Sequence, residues 1–122
     1  MFTPGKYNIT VIKGADFSLP FTITVGDEVL DLTNCIVQSE IRARQARDSK
    51  LLATFTCLVD GVAVPNPAPT NNVIRLTLTE TQTGEIKNFE GWYDVLVTTV
   101  AGQDDYYLEG KVTFKPSVTV KA

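Results

Sequence analysis

The chain has 122 residues, a formal net charge of −3, and 43% hydrophobic and 20% charged residues. That length makes one domain, 1–122, burying roughly two thirds of the surface its unfolded form exposes, and the mild acidity gives no bias towards nucleic acid or an anionic membrane. No apolar run reaches the roughly 18 residues of a membrane span, and MFTPGKYNIT lacks the basic and apolar regions of a signal peptide; the chain is expected to stay in the cytoplasm until it is assembled into something larger.

Period-two alternation recurs from end to end and helical periodicity is almost absent, which predicts antiparallel sheets. A first strand is expected at Asn8 to Lys13. From Asp16 to Val25, residues Phe17, Leu19, Phe21, Ile23 and Val25 share one face. Pro20 cannot donate to a ladder, so this strand belongs at an edge or carries a bulge. A Gly26-Asp27 turn follows, and Cys35 to Arg44 turns Cys35, Val37, Ser39, Ile41 and Ala43 inward, with Gln38, Glu40, Arg42 and Arg44 towards water. Leu51 to Val59 reads as one looser strand with Leu51, Ala53, Phe55, Cys57 and Val59 inward. Val73 to Thr79 is clean, with Ile74, Leu76 and Leu78 inward. ETQTGEIKN has no strand pattern and fits one short helical turn. Glu90 to Val100 puts Tyr93, Val95 and Val97 on one face and Trp92, Leu96 and Val100 on the other, so both faces are apolar. Tyr106 to Phe114 closes the series with Leu108, Val112 and Phe114 inward. About seven strands with turns between them predict an all-β, two-sheet antiparallel sandwich. Two connections are long: the polar RQARDSK, Arg44 to Lys50, and DGVAVPNPAPTNN, Asp60 to Asn72, whose prolines predict an extended, exposed excursion.

The sequence contains no histidine, which removes Ser-His-Asp and Cys-His catalysis and the usual zinc sites. Cys35 and Cys57 lie far apart on inward faces without a CxxC and read as buried thiols, their pairing left open. The glycines are isolated in turns or bulges, so no phosphate loop is present. Asp27, Glu28 and Asp31, and again Asp104 and Asp105, lie at turns where Asp serves the backbone, without the spaced ligand series of a calcium loop. Asp94 is the one acid inside an apolar strand; as half of a glycosidase pair it would need a second carboxylate in the same cleft, and the plainer expectation is that it faces outward and meets a cation or backbone donor. The cations of the Arg44–Lys50 loop are diluted by Glu40 and Asp48, so nucleic acid is not expected as a partner. No enzyme activity, metal or cofactor is expected. Gly91, Tyr93 and Val95 match the spacing of a tyrosine corner, a tyrosine whose hydroxyl anchors the preceding connection in immunoglobulin-like sandwiches, although Phe89 stands where an acid is common.

The stretches TVIKGADFSLPFTI, DLT leading to IRAR, LLATFT, LTLTETQT, GWYDVLVT and YLEGKVTFKPSVT together resemble a family of small tail-associated structural proteins of tailed bacteriophages and prophages. The opening half is also similar to the N-terminal domain of phage baseplate upper proteins. The resemblance implies an immunoglobulin-like sandwich that docks to other virion proteins, is assembled in the host cytoplasm and has no active site. The Pro-rich segment Val64 to Thr70 and the two cysteines depart from that pattern.

Under this expectation the protein works by complementarity in the tail, baseplate or neck, as a homo-oligomer among other virion proteins, with head decoration as the nearest variant. Trp92, Leu96, Val100, Tyr106 and Tyr107 are the candidate interface, continued by Ile12 or Leu58. The competing expectation is that the second apolar face is covered within the monomer by the Pro-rich loop or the ETQTGEIKN turn. A different class, a carbohydrate-binding module, is offered by Tyr7, Trp92, Tyr93, Tyr106 and Tyr107 if two of them stand exposed and adjacent.

Overall fold

The alternation resolves into short strands and one helical turn in the computed structural model, which describes residues 4–119; the first three residues of MFTPGKYNIT lie outside it. In chain order the elements are β1 (Gly5–Lys6), β2 (Ile9–Ile12), β3 (Phe17–Phe21), β4 (Thr24–Val25), β5 (Glu28–Val29), β6 (Ile36–Arg42), β7 (Leu51–Thr54) and β8 (Thr56–Val59). They continue with β9 (Val62–Ala63), β10 (Ile74–Leu78), α1 (Glu80–Gly84), β11 (Glu90–Thr98) and β12 (Asp104–Lys115). The protein is nearly all β.

The larger sheet has the order β1-β12-β11-β6-β7, with β2 following β1 along the same edge of β12. The smaller sheet runs β3-β10-β8-β9, and β4 and β5 form a separate hairpin. Both sheets contribute to one core: Val11, Ile41, Val95, Val112 and Phe114 from the larger, Val59, Ile74 and Leu76 from the smaller, each at most 1% exposed. Full burial of a side chain of this size contributes about 1.5–3 kcal/mol. A run of rings ties the layers, Phe17 to Phe55 at 5.9 Å and Phe55 edge-on to Tyr93 at 6.3 Å.

Pro20 sits on β3, an edge strand whose inner neighbour β10 pairs Arg75 opposite it, so its missing N–H interrupts no inner ladder. The helical turn forms at ETQTG because Thr79 and Gln82 make a reciprocal capping box. Buried Thr83 then fastens the turn to the chain after β2: its hydroxyl accepts from Gly14 N–H and lies 2.8 Å from the Ala15 carbonyl.

Three expectations change. The run from Leu51 to Val59 is two strands, not one: β7 pairs with β6 in the larger sheet and β8 with β10 in the smaller, the chain changing sheets at buried Phe55. A register step opposite Ile41 and Arg42 accompanies β7, and Leu51 stands 44% exposed instead of inward. The segment Asp16 to Val25 also breaks, since Val25 leaves the sheet for the β4–β5 hairpin and is exposed. The first strand, expected in an antiparallel sheet, lies parallel to β12, with Gly5 opposite Leu108 and Ile9 opposite Val112.

Candidate functional site

Along β11, Gly91, Tyr93, Val95 and Val97 are buried, while Trp92 and Leu96 are half-buried on the outer face of the larger sheet. Leu96 pairs directly with Tyr106 of β12. The register steps here: Val95 pairs with Leu108 and Leu96 with Tyr106, so Tyr107 is the extra residue of a bulge. This separates the tandem tyrosines. Tyr106 lies beside Trp92 and Leu96 in the outer hollows, whereas Tyr107 packs against the core.

The candidate interface therefore divides. Trp92, Leu96 and Tyr106 come together. Tyr107 does not join them, and Val100 sits in the turn beyond β11, 74% exposed at the tip of the hairpin and off the sheet face. Leu58 is on the smaller sheet and does not continue the patch.

Trp92 is partly covered by its own chain, but not by either segment expected to do so. The cover is the Arg44–Arg47 stretch of RQARDSK, which with Pro4 and the strands encloses a cleft of ≈ 570 Å³. Buried Ser49 holds this loop in shape: its Oγ accepts from Arg44 N–H and lies 2.9 Å from Arg44 O and 2.7 Å from Ala46 O. Arg42 donates to Ser49 O, Gln45 donates to Glu109 at 3.3 Å, and Arg47 donates to the Tyr106 hydroxyl at 3.4 Å. The Pro-rich loop is tied elsewhere. Asp60 takes backbone N–H bonds from Thr70, Asn71, Asn72 and Val73 on its carboxylate, and these, the Val73 bond foremost, hold its pKa below the usual carboxylate value. The buried Asn66 side chain donates to Val59 O.

The cleft floor holds three carboxylates in one row, because Asp94 of β11 pairs with Glu40 of β6 on one side and Glu109 of β12 on the other. Glu40 is bonded to Arg42 at 3.1 Å and Glu109 to Gln45. Asp94 faces outward and, of the cation or backbone donor expected for it, meets cations: Arg42 and Arg47 act on its carboxylate through their charge, with no hydrogen bond to it among the described residues. Partial desolvation, then the like charges of Glu109 and Glu40, push this carboxyl up from its ordinary value, against the pull of the two arginines. A second hollow of ≈ 250 Å³ shares Glu40, Asp94 and Tyr106 and runs on to Leu96 and Gln38, so the two form one groove across the sheet. Of the five aromatics considered, Trp92, Tyr93 and Tyr106 border it, Tyr93 being otherwise buried in the core; Tyr107 packs against the core and Tyr7 is exposed at the strand edge. The arrangement offers binding surface, flat rings beside charged donors and acceptors. Among the described residues no group of His, Cys, Asp and Glu converges to hold a metal ion.

Tyr93 does not form a tyrosine corner. Its hydroxyl donates at 2.7 Å to the carbonyl of Tyr7, between β1 and β2 and not on the connection before β11. The latch closes because Gly110, opposite Tyr93, leaves room for the Tyr7 carbonyl; a Cβ there would lie 2.0 Å from that oxygen. Burial pushes the Tyr93 hydroxyl pKa well up. Cys35 and Cys57 are both buried free thiols, the latter pushed up to about 11 by desolvation.

Glu40, Glu109 and Ser49 were not singled out by sequence as site residues. Glu40 was legible as outward-facing, but its alignment with Asp94, more than fifty positions away, depends on strand register. No protein-family profile matches the chain, and no curated protein matches it.

Proposed function

We propose that this chain is a structural protein of a tailed-bacteriophage virion, an immunoglobulin-like sandwich built in several copies into the tail, baseplate or neck, where it holds neighbouring virion proteins. The sequence resemblance motivates the reading, and the strand order supports the fold: an extended sheet β12-β11-β6-β7 facing β3-β10-β8 has the order of an immunoglobulin-like GFC sheet with an added strand against its BED partner.

The observation that carries the docking role is an apolar end beside an open edge. Ile12 closes β2, Phe89 precedes β11 and Val118 follows β12; these strand ends adjoin, with Phe114 N–H bonded to Phe89 O and Lys13 N–H to Lys115 O. The three side chains are 49%, 71% and 98% exposed, and Lys13 lies over the Phe89 ring at 4.7 Å. Apolar surface at a sheet edge is where another chain pairs and buries side chains. The test is the oligomeric state at micromolar concentration together with localisation on purified particles by cryo-EM. Assembly that Phe89→Lys abolishes without lowering the melting temperature supports the reading; a monomer absent from purified particles refutes it.

A further inference from the structure

We propose that the groove on the outer face of the larger sheet is a binding site for a neutral saccharide chain of at least two sugar units. The inference goes beyond the virion role and does not depend on it.

The chemistry of the walls selects the ligand. The carboxylates Glu40, Asp94 and Glu109 offer acceptors only, and Arg42, Arg44 and Arg47 donors only. Equal numbers of each sign line one cleft, so an anion would face the carboxylate row and a cation the guanidinium groups, and each would be repelled as well as attracted. A hydroxyl both donates and accepts. A ligand carrying many hydroxyls can therefore give hydrogen bonds to Asp94 and its neighbours while taking them from the arginines, and it brings no charge to be desolvated.

Shape points the same way. Trp92 and Tyr106 supply flat apolar surface inside this polar frame, suited to the C–H faces of sugar rings. The two hollows, ≈ 570 and ≈ 250 Å³, adjoin at Glu40, Asp94 and Tyr106; the larger alone is within the usual range for a small-ligand site, and the second beside it suits a chain more than a single ring. The roof is already in place, held by Ser49 from within and by Gln45 and Arg47 across to β12. Little ordering is then required on binding, which favours affinity. Asp94, whose carboxylate takes no hydrogen bond among the described residues, is the acceptor left for the ligand.

Trp92 is the sole tryptophan, so its fluorescence reports on the groove directly. The full chain is applied to an array of neutral, acidic and amino-bearing oligosaccharides, and the neutral binders are titrated by calorimetry and Trp92 emission. Expected are neutral glycans that bind and shift the emission, weakened about tenfold or more, about 1.4 kcal/mol, by Asp94→Asn and by Trp92→Ala. Asp94→Asn keeps size and exposure, so it remains informative if Trp92→Ala does not fold. Silence across the neutral glycans, preference for polyanions, polycations or a protein partner, or neutral binding unchanged in Asp94→Asn would each overturn the proposal. Presence in virions is measured separately: a silent protein found on particles removes this inference alone, and a glycan binder absent from particles removes the virion role alone.

Discussion

Replacing Gly110 by alanine tests whether the N-terminal edge strand is latched to the sheet as described. The added Cβ would lie 2.0 Å from Tyr7 O, 2.7 Å from Tyr7 C and 3.1 Å from Tyr93 Cε1. The first of these is more than 1 Å inside normal contact, and the obstacle is backbone, so β1 and the start of β2 must move. Three hydrogen bonds depend on their present position: Tyr7 N–H to Glu109 O at 2.9 Å, Tyr93 OH to Tyr7 O at 2.7 Å, and Lys111 N–H to Asn8 Oδ1 at 3.0 Å. At about 1 kcal/mol net for each bond, their loss amounts to roughly 3 kcal/mol, and residual overpacking adds about 1 kcal/mol or more. For a domain of this size, 4 kcal/mol lowers the melting temperature by roughly 10–20 °C. Tyr93→Phe removes one of the same bonds and is expected to cost about 1–2 kcal/mol. Because both changes remove the Tyr93–Tyr7 bond, the double variant should fall short of additivity by about 1 kcal/mol. Thermal denaturation gives the totals, and amide exchange at Tyr7 and Lys111 shows where protection is lost. A Gly110→Ala protein melting within about 2 °C of the parent, with those amides still protected, would refute the latch.

Three further changes address other parts of the molecule. Asp60→Asn should lower stability at neutral pH, since one carboxylate now serves four backbone N–H groups; the Asp60 pKa is depressed on folding, so its stabilisation is present above the unfolded value of 3.8 and lost as pH falls through the folded one, and the variant's deficit should shrink in acid melts. Asp94 has the opposite sign: its pKa is raised from 3.8 on folding, its ionised form costs stability above the folded pKa, and Asp94→Asn should melt at or above the parent at pH 7 but not at pH 3, facing Glu40 and Arg42 on β6, Glu109 on β12 and Arg47 on the loop. Ser49→Ala leaves the Arg44 N–H and two carbonyls without their shared hydroxyl; a loss of about 1–2 kcal/mol and faster amide exchange at Ala43 and Arg44, with β10 and β12 unaffected, would mark the roof as a local unit.

Strand faces were the most legible part of the fold, because apolar alternation against one core leaves a direct trace: Cys35, Val37, Ser39 and Ile41 of β6 and its approach, and Ile74, Leu76 and Leu78 of β10, are buried as their spacing predicts. The change of sheet at Phe55 left no such trace. Both β7 and β8 turn toward the same core, so the alternation runs on through Phe55, Cys57 and Val59 while the backbone partners change from β6 to β10. At the candidate site, Trp92 and Leu96 were visible as a second apolar set, but the bulge that sends Tyr106 outward and Tyr107 inward is a property of two paired strands. The roof was hidden for a different reason. RQARDSK has the composition of a solvated loop, and what folds it onto the sheet is one buried serine, a residue equally common in loops that fold onto nothing.

The edge made by β1 and β2 sets a condition on when the molecule can finish folding. Its partner is β12, with Gly5 opposite Leu108 and Val11 opposite Phe114. While the chain is being made, β6 and β7 can meet early, yet β1 and β2 have no sheet to join until β12 has emerged. Closing so long a loop is slow more than it is costly, since the entropic penalty grows only as the logarithm of its length. Until then the side chains of Ile9 and Val11 lie in water, and once β11 has emerged its β12-facing side stands unpaired as well, so the nascent chain exposes sticky surface until β12 is made.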